Sequence, residues 1–189
     1  MGNIYLIGFM GCGKSTVSRY LCKRYGFKRL EMDEEIERQE GRSIKEIFAS
    51  SGEAYFREVE TGLLKKLRSS ERLVVSCGGG TAMKDENVSE MKKNGIIILL
   101  EACPETVYDR VKHNHNRPLL EGNMNVDYIR GLMEQRRPKY EAAADFTVIT
   151  DGKSTTQICR EILDRTEERE NRKQEKHRQI SRTEMQGIF

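Results

Sequence analysis

The segment Gly8-Phe9-Met10-Gly11-Cys12-Gly13-Lys14-Ser15 constrains this chain more than any other, because it fits the pattern G-x-x-x-x-G-K-[ST] at every fixed position. It follows a short apolar run, Ile4-Tyr5-Leu6-Ile7, that reads as a buried strand. It opens a stretch from Lys14 to Tyr25, ended by Gly26, whose Val17, Leu21 and Cys22 fall on one helical face. Strand, glycine-rich loop and helix in that order are the context the pattern requires. Glycines let the backbone curl so that successive N–H groups converge on phosphate oxygens, and the helix N-terminus adds partial positive charge. Lys14 can reach the β- and γ-phosphates, and the Ser15 hydroxyl can sit on Mg²⁺. With glycine usage near ~7%, the four fixed positions coincide by chance in about one chain of this length in a hundred. Nucleoside triphosphate binding is therefore expected, with Gly11, Cys12, Gly13, Lys14, Ser15 and Thr16 around the phosphates.

The rest of the chain alternates short apolar runs with helical stretches. Strands are expected at Arg29–Met32, Leu73–Ser76, Ile96–Leu100 and Phe146–Ile149. Ser43-Ile44-Lys45-Glu46 is a capping box that opens a short helix. A longer helix, from Gly52 to Leu67, carries Phe56, Val59, Leu63 and Leu64 at helical spacing. Further helices fit Asp85–Lys93, Pro104–Lys112 and Val126–Arg137. This alternation implies an α/β fold with a parallel sheet and helices on both faces.

At 189 residues one domain is the default, spanning residues 1–165 and followed by a charged tail at 166–189, helical or disordered. The polar segment from about 113 to 125, with its Pro and Gly, is expected to be a mobile loop. Its His113 and His115 read as solvated rather than metal-bound. Lys and Arg (33) nearly balance Asp and Glu (30), so a strongly basic nucleic-acid binder is excluded. The apolar runs Ile4–Ile7 and Ile96–Leu100 fall far short of the ~20 residues that span a membrane. Five widely spaced cysteines without a C-x-x-C pair indicate neither a zinc site nor a disulfide framework. A cytoplasmic protein and a monomer are expected. Cys12, inside the anion-binding loop, is expected to be protected from alkylation by nucleotide if its thiol is exposed.

Three clusters point beyond nucleotide binding. Leu30-Glu31-Met32-Asp33 places carboxylates at the carboxyl edge of the sheet, where open α/β sheets bind ligands. Phe56-Arg57-Glu58-Val59-Glu60 sets an arginine into a helix with an apolar stripe. The strand ending at Ser76 runs into Gly78-Gly79-Gly80, which suits close approach of backbone to a ligand.

Together with Arg117-Pro118-Leu119-Leu120 and Arg136-x-Pro138-x-Tyr140, these motifs resemble the shikimate kinase family in order and spacing over about residues 3–165. The resemblance implies a five-stranded parallel sheet of order 2-3-1-4-5 related to nucleoside monophosphate kinases, with a substrate-binding helical segment and an ATP lid at 113–125. It implies phosphorylation of the 3-hydroxyl of shikimate by ATP, in the pathway to aromatic amino acids. Arg57 and Arg136 would then grip the carboxylate, for which a planar guanidinium is better suited than an amine. Asp33 would orient the attacked hydroxyl, and Gly78, Gly79 and Gly80 would line the substrate. Arg117 and Lys14 would stabilise charge during transfer. Arg110 and Lys153 would flank the adenine. The family usually has Asp-x-Asp after the second strand where this chain has Glu31-Met32-Asp33, so Glu31 is expected to support the metal.

Plainer readings stand beside these. Arg57 could pair with Glu53 or Glu60 on its own helix, worth ~0.3–0.5 kcal/mol if solvated. Asp33 could cap a helix at Glu34. A gluconate kinase-like enzyme, or a nucleotide-binding regulatory module docking partners through its tail, are the alternative functions.

Overall fold

A computed structural model describes residues 2–112 and 125–186. The chain runs β1 (Asn3–Ile7), α1 (Lys14–Tyr25), β2 (Lys28–Glu31), α2 (Met32–Glu40), α3 (Ile44–Lys66), β3 (Leu73–Ser76), α4 (Asp85–Asn94) and β4 (Gly95–Glu101). It continues through α5 (Pro104–Val111), α6 (Val126–Ala143), β5 (Phe146–Ile149) and α7 (Thr155–Gln186). The strands form one parallel five-stranded sheet of order β2-β3-β1-β4-β5, as the motifs implied.

The apolar runs are strands because both faces of the sheet are covered. Ile4 and Leu6 of β1 pack on one side with Val17, Leu21, Val107, Ile129 and Ile162. Tyr5 and Ile7 pack on the other with Met32, Ile36, Ile47, Leu64 and Met91. A period of two thus feeds two cores from one continuous hydrophobic run. The register then aligns the strand ends that matter. Leu6 lies beside Ser76, and Glu31 pairs with that same Ser76. The chain therefore leaves β1, β2 and β3 side by side at the carboxyl edge of the sheet.

Several boundaries differ from the sequence expectation. Met32 opens α2 instead of ending β2, and it is fully buried in the second core. The helix cap is Glu31, so Asp33 is not a cap; it lies inside the first turn with Glu34 and Glu35, where negative charge suits the helix dipole. The expected short and long helices join into α3 across a kink at Gly52, whose φ of 80° only glycine adopts easily. Helix α6 continues past Pro138 to Ala143, because burial of Tyr140 and Ala143 outweighs the backbone bond that proline forfeits. The onset of the charged tail at 166 falls within α7. There Thr166 is buried, and Arg169 donates to the Asp145 carbonyl and carboxylate at 3.1 and 2.8 Å.

Candidate active site

The loop between β1 and α1 is built by its glycines. Gly8, Gly11 and Gly13 have φ of 134°, 77° and 104°, and a Cβ on Gly8 would lie 2.3 Å from the Leu100 carbonyl oxygen. Gly13 caps α1 without a side chain, and no acid occupies the first turn, so the orphan amides there suit an anion. The Lys14 ammonium folds back over the loop and donates to the carbonyls of Gly8 (2.8 Å) and Phe9 (3.0 Å). Ser15 and Thr16 are exposed at the start of the helix. The Cys12 thiol is only 1% exposed, so the condition for its expected reactivity is not met.

Glu31 leaves β2 directly beside this loop. Its Oε2 accepts from Ser15 Oγ at 2.8 Å, and its Oε1 accepts from Ser18 Oγ at 2.8 Å and Arg29 Nη2 at 3.0 Å. Ser15 and Glu31 offer hard oxygens, the donor type magnesium prefers. Among the described residues no group of three His, Cys, Asp or Glu side chains could hold a metal alone. A cation here fits only if phosphate and water complete its shell, which is the usual arrangement for magnesium on a nucleotide.

The second half of the site is centred on the glycine triplet. Gly78 and Gly80 are needed for space, and that space is filled by the site's own side chains. A Cβ on Gly78 would lie 2.8 Å from Asp33 Oδ1, and one on Gly80 would lie 2.6 Å from both Nη atoms of Arg57. Arg136 Nη1 would stand 3.6 Å from a Cβ on Gly79, whose carbonyl accepts from Tyr140 Oη at 2.5 Å. Asp33, Arg57, Arg136 and the triplet therefore share one surface, as the sequence motifs required. Burial pushes the Tyr140 phenol up to about 12, against the lowering field of Arg136.

Arg57 is both an ion-pair partner and a lining group. It bonds Glu53 through Nε (3.2 Å) and Nη2 (2.9 Å), and Glu60 through Nη1 (2.6 Å). Partial burial opposes its charge, but the bonds to Glu60 and Glu53 prevail and raise its pKa. Glu60 is fully buried and also accepts from Thr81 Oγ1 at 2.6 Å. The ion pair with Glu60, at the i+3 position that faces Arg57 on a helix, was among the sequence readings, whereas Thr81 had been assigned no role. Helix α3 and the turn after the triplet are thereby locked together.

The nucleotide side is less concentrated. Arg110 Nη1 donates to the Gly11 carbonyl at 3.0 Å, which places it at the phosphate loop. Lys153 follows β5 and pairs with Glu161 of α7 at 2.6 Å. Arg117 and the expected lid lie outside the described residues, apart from Asn125, which caps α6.

Known proteins share this fold and much of this sequence. The family model for shikimate kinase matches residues 10–167. A shikimate kinase from Persephonella marina is 47% identical over 165 residues, 87% of this chain and 99% of that protein. The structure of shikimate kinase from Acinetobacter baumannii in complex with shikimate superposes with a TM-score of 0.79 at 37% identity, covering 86% of this chain and 91% of that one. A gluconokinase from Sinorhizobium meliloti, at 19% identity and a TM-score of 0.56 over 86% of this chain and 90% of that one, shares the fold alone.

Proposed function

The chain belongs to the shikimate kinase family, and we propose on that premise that it transfers the γ-phosphoryl group of ATP to the 3-hydroxyl of shikimate. The observation that carries this reading is the placement of Arg57 and Arg136 against successive glycines of one triplet, with Asp33 against the third. Two guanidinium groups fit a small carboxylate, and a carboxylate nearby fits a ring hydroxyl.

Each residue then has a physical task. The amides at the start of α1 and the Lys14 ammonium bind the phosphates, with Gly11, Cys12, Gly13, Ser15 and Thr16 forming the cradle. Arg57 and Arg136 hold the shikimate carboxylate over Gly78, Gly79 and Gly80. Asp33 accepts a hydrogen bond from the acceptor hydroxyl and aims it in line with the phosphoryl group. Phosphoryl transfer through a loose transition state depends on such positioning and on charge neutralisation more than on strong proton abstraction. Arg110 and Lys153 flank the adenine, and Arg117 neutralises charge on the transferred group together with Lys14. Magnesium, held by Ser15 with support from Glu31, supplies charge neutralisation on the phosphates when bound.

The enzyme works as a cytoplasmic monomer on small molecules, without nucleic acid or membrane. The five free cysteines accord with a reducing compartment. No helix among the described residues is long and apolar enough to cross a membrane. ADP release measured separately with shikimate, gluconate and nucleoside monophosphates tests the reading. Turnover is expected with shikimate alone, and tight ATP binding without shikimate turnover would refute it.

A further inference from the structure

Arg29 belongs to none of the motifs above, yet it reaches the metal side of the site. It sits two residues before Glu31 on β2, so the two side chains share one face of the strand. Its Nη2 lies 3.0 Å and its Nε 3.2 Å from Glu31 Oε1, and that same Nε is 3.2 Å from Ser18 Oγ. Ser18 is fully buried, one helical turn after Ser15, and its hydroxyl is 2.8 Å from Glu31 Oε1. The two oxygens of Glu31 therefore have separate partners. Arg29 and Ser18 occupy Oε1, which leaves Oε2 to take the proton of Ser15 Oγ at 2.8 Å.

A hydroxyl that gives its proton to a carboxylate turns its lone pairs the other way, toward whatever cation approaches. Glutamate has one more rotatable bond than aspartate, so holding Oε2 in that position requires fixing the far end of the side chain. The Arg29 fork and the Ser18 hydroxyl do this from two different elements, β2 and α1. The Glu31 side chain is only 10% exposed as a result.

We infer that Arg29 is a positioning residue for metal-dependent nucleotide binding, acting by clamping Glu31 so that its free oxygen orients the Ser15 hydroxyl. This rests on the reading of Ser15 and Glu31 as the magnesium side of the site. The opposite effect is also physically available. Arg29 brings positive charge near a cation site, and if repulsion dominated, its removal would strengthen metal binding.

The test compares the affinity of the full chain for a fluorescent ADP analogue in magnesium and in EDTA. For the unaltered protein, magnesium is expected to tighten binding. In Arg29→Leu that tightening falls about tenfold, as for other groups that orient a metal ligand, while the EDTA affinity stays unchanged. Arg29→Lys keeps the charge without the fork and recovers part of the loss. Arg29→Gln takes the place of the leucine variant if that does not fold. A purely structural role would lower the melting temperature and leave the magnesium-to-EDTA ratio alone. A ratio that is unchanged or larger in the leucine or glutamine variant overturns the inference while leaving the magnesium reading intact. Equal affinities in both media for the unaltered protein overturn both.

Discussion

Substitution of Gly80 by alanine presses on the contact between the glycine triplet and Arg57. Gly80 has φ −99° and ψ −9°, a conformation open to alanine, so the backbone itself resists nothing. Loss of unfolded-state entropy should even favour alanine by about 0.4–1 kcal/mol. The new Cβ, however, would lie 2.6 Å from Nη1 and Nη2 and 2.8 Å from Cζ of Arg57. To restore ordinary contact at 3.4 Å, the guanidinium must retreat by about 0.8 Å. It cannot do so while keeping its bonds to both Glu53 and Glu60, and Glu60 is fixed in the core. A displacement near 1 Å in a positioning group loses roughly 10²-fold in rate, or about 2.7 kcal/mol of transition-state stabilisation. Steady-state kinetics in shikimate at saturating ATP should therefore show kcat/KM falling about 10²-fold. The KM for ATP should be unchanged, and urea unfolding should move by no more than about 1 kcal/mol. In Gly79→Ala, by contrast, the Cβ would meet Arg136 at 3.6 Å and Tyr140 at 3.9 Å, both ordinary contacts, so no protein group has to move. Wild-type kcat/KM for shikimate in Gly80→Ala would show that Arg57 is not held where its ion pairs place it, and the argument would fail.

Other consequences can be measured independently. Lys14→Met should lower kcat by on the order of 10²–10³-fold with little change in melting temperature, because the groups that lose a partner are two loop carbonyls and the Cys12 sulfur. Arg57→Lys should mainly raise the KM for shikimate, and wild-type kinetics would dismiss Arg57 as a carboxylate ligand. Tyr140 has its folded pKa raised to about 12, so the stability from burying it neutral is complete below the unfolded value near pH 10 and lost as pH rises toward 12. An ultraviolet titration should show a late-ionising tyrosine that is missing in Tyr140→Phe. Truncation after Glu168 should keep kcat but lower the melting temperature by about 2–4 °C, because Arg169 no longer holds Asp145. Truncation after Arg172 should leave the melting temperature unchanged.

What could be read from sequence was whatever the backbone demands locally. The phosphate loop was legible because its glycines answer positive φ angles, and β3 was legible because a continuous apolar run fits a sheet covered on both faces. The path of α6 through Pro138 was not, because what sustains it is packing of Tyr140 against a distant loop rather than helix propensity. The tail, expected to be helical or disordered, gave little local signal. Residues beyond 165 lack apolar spacing, but α7 is carried onward by one buried threonine and one arginine anchored near β5. Glu31 was legible as a departure from pattern, whereas its partners Ser18 and Arg29 depend on side-chain reach between β2 and α1, which no local motif records.

The two sides of the site also differ in how ready they are for ligand. Arg57 directs Nε and one Nη2 proton to Glu53 and one Nη1 proton to Glu60. A second proton remains on each Nη. If Arg57 holds the shikimate carboxylate as proposed, the entropy of fixing its long side chain is already spent in folding. Lys14 is in the opposite condition. Its ammonium holds the carbonyls of Gly8 and Phe9, so phosphate must compete with those bonds before the lysine can serve it. The near-neutral overall charge is consistent with both arrangements, because what each cation can offer depends on the partner it already has. An arginine held by acids at one end presents the other rigidly, whereas a lysine held by loop carbonyls and a thiol sulfur is released to the stronger acceptor. Substrate recognition at the triplet should thus depend little on nucleotide, while exchange of Lys14 from carbonyl to phosphate should accompany nucleotide binding itself.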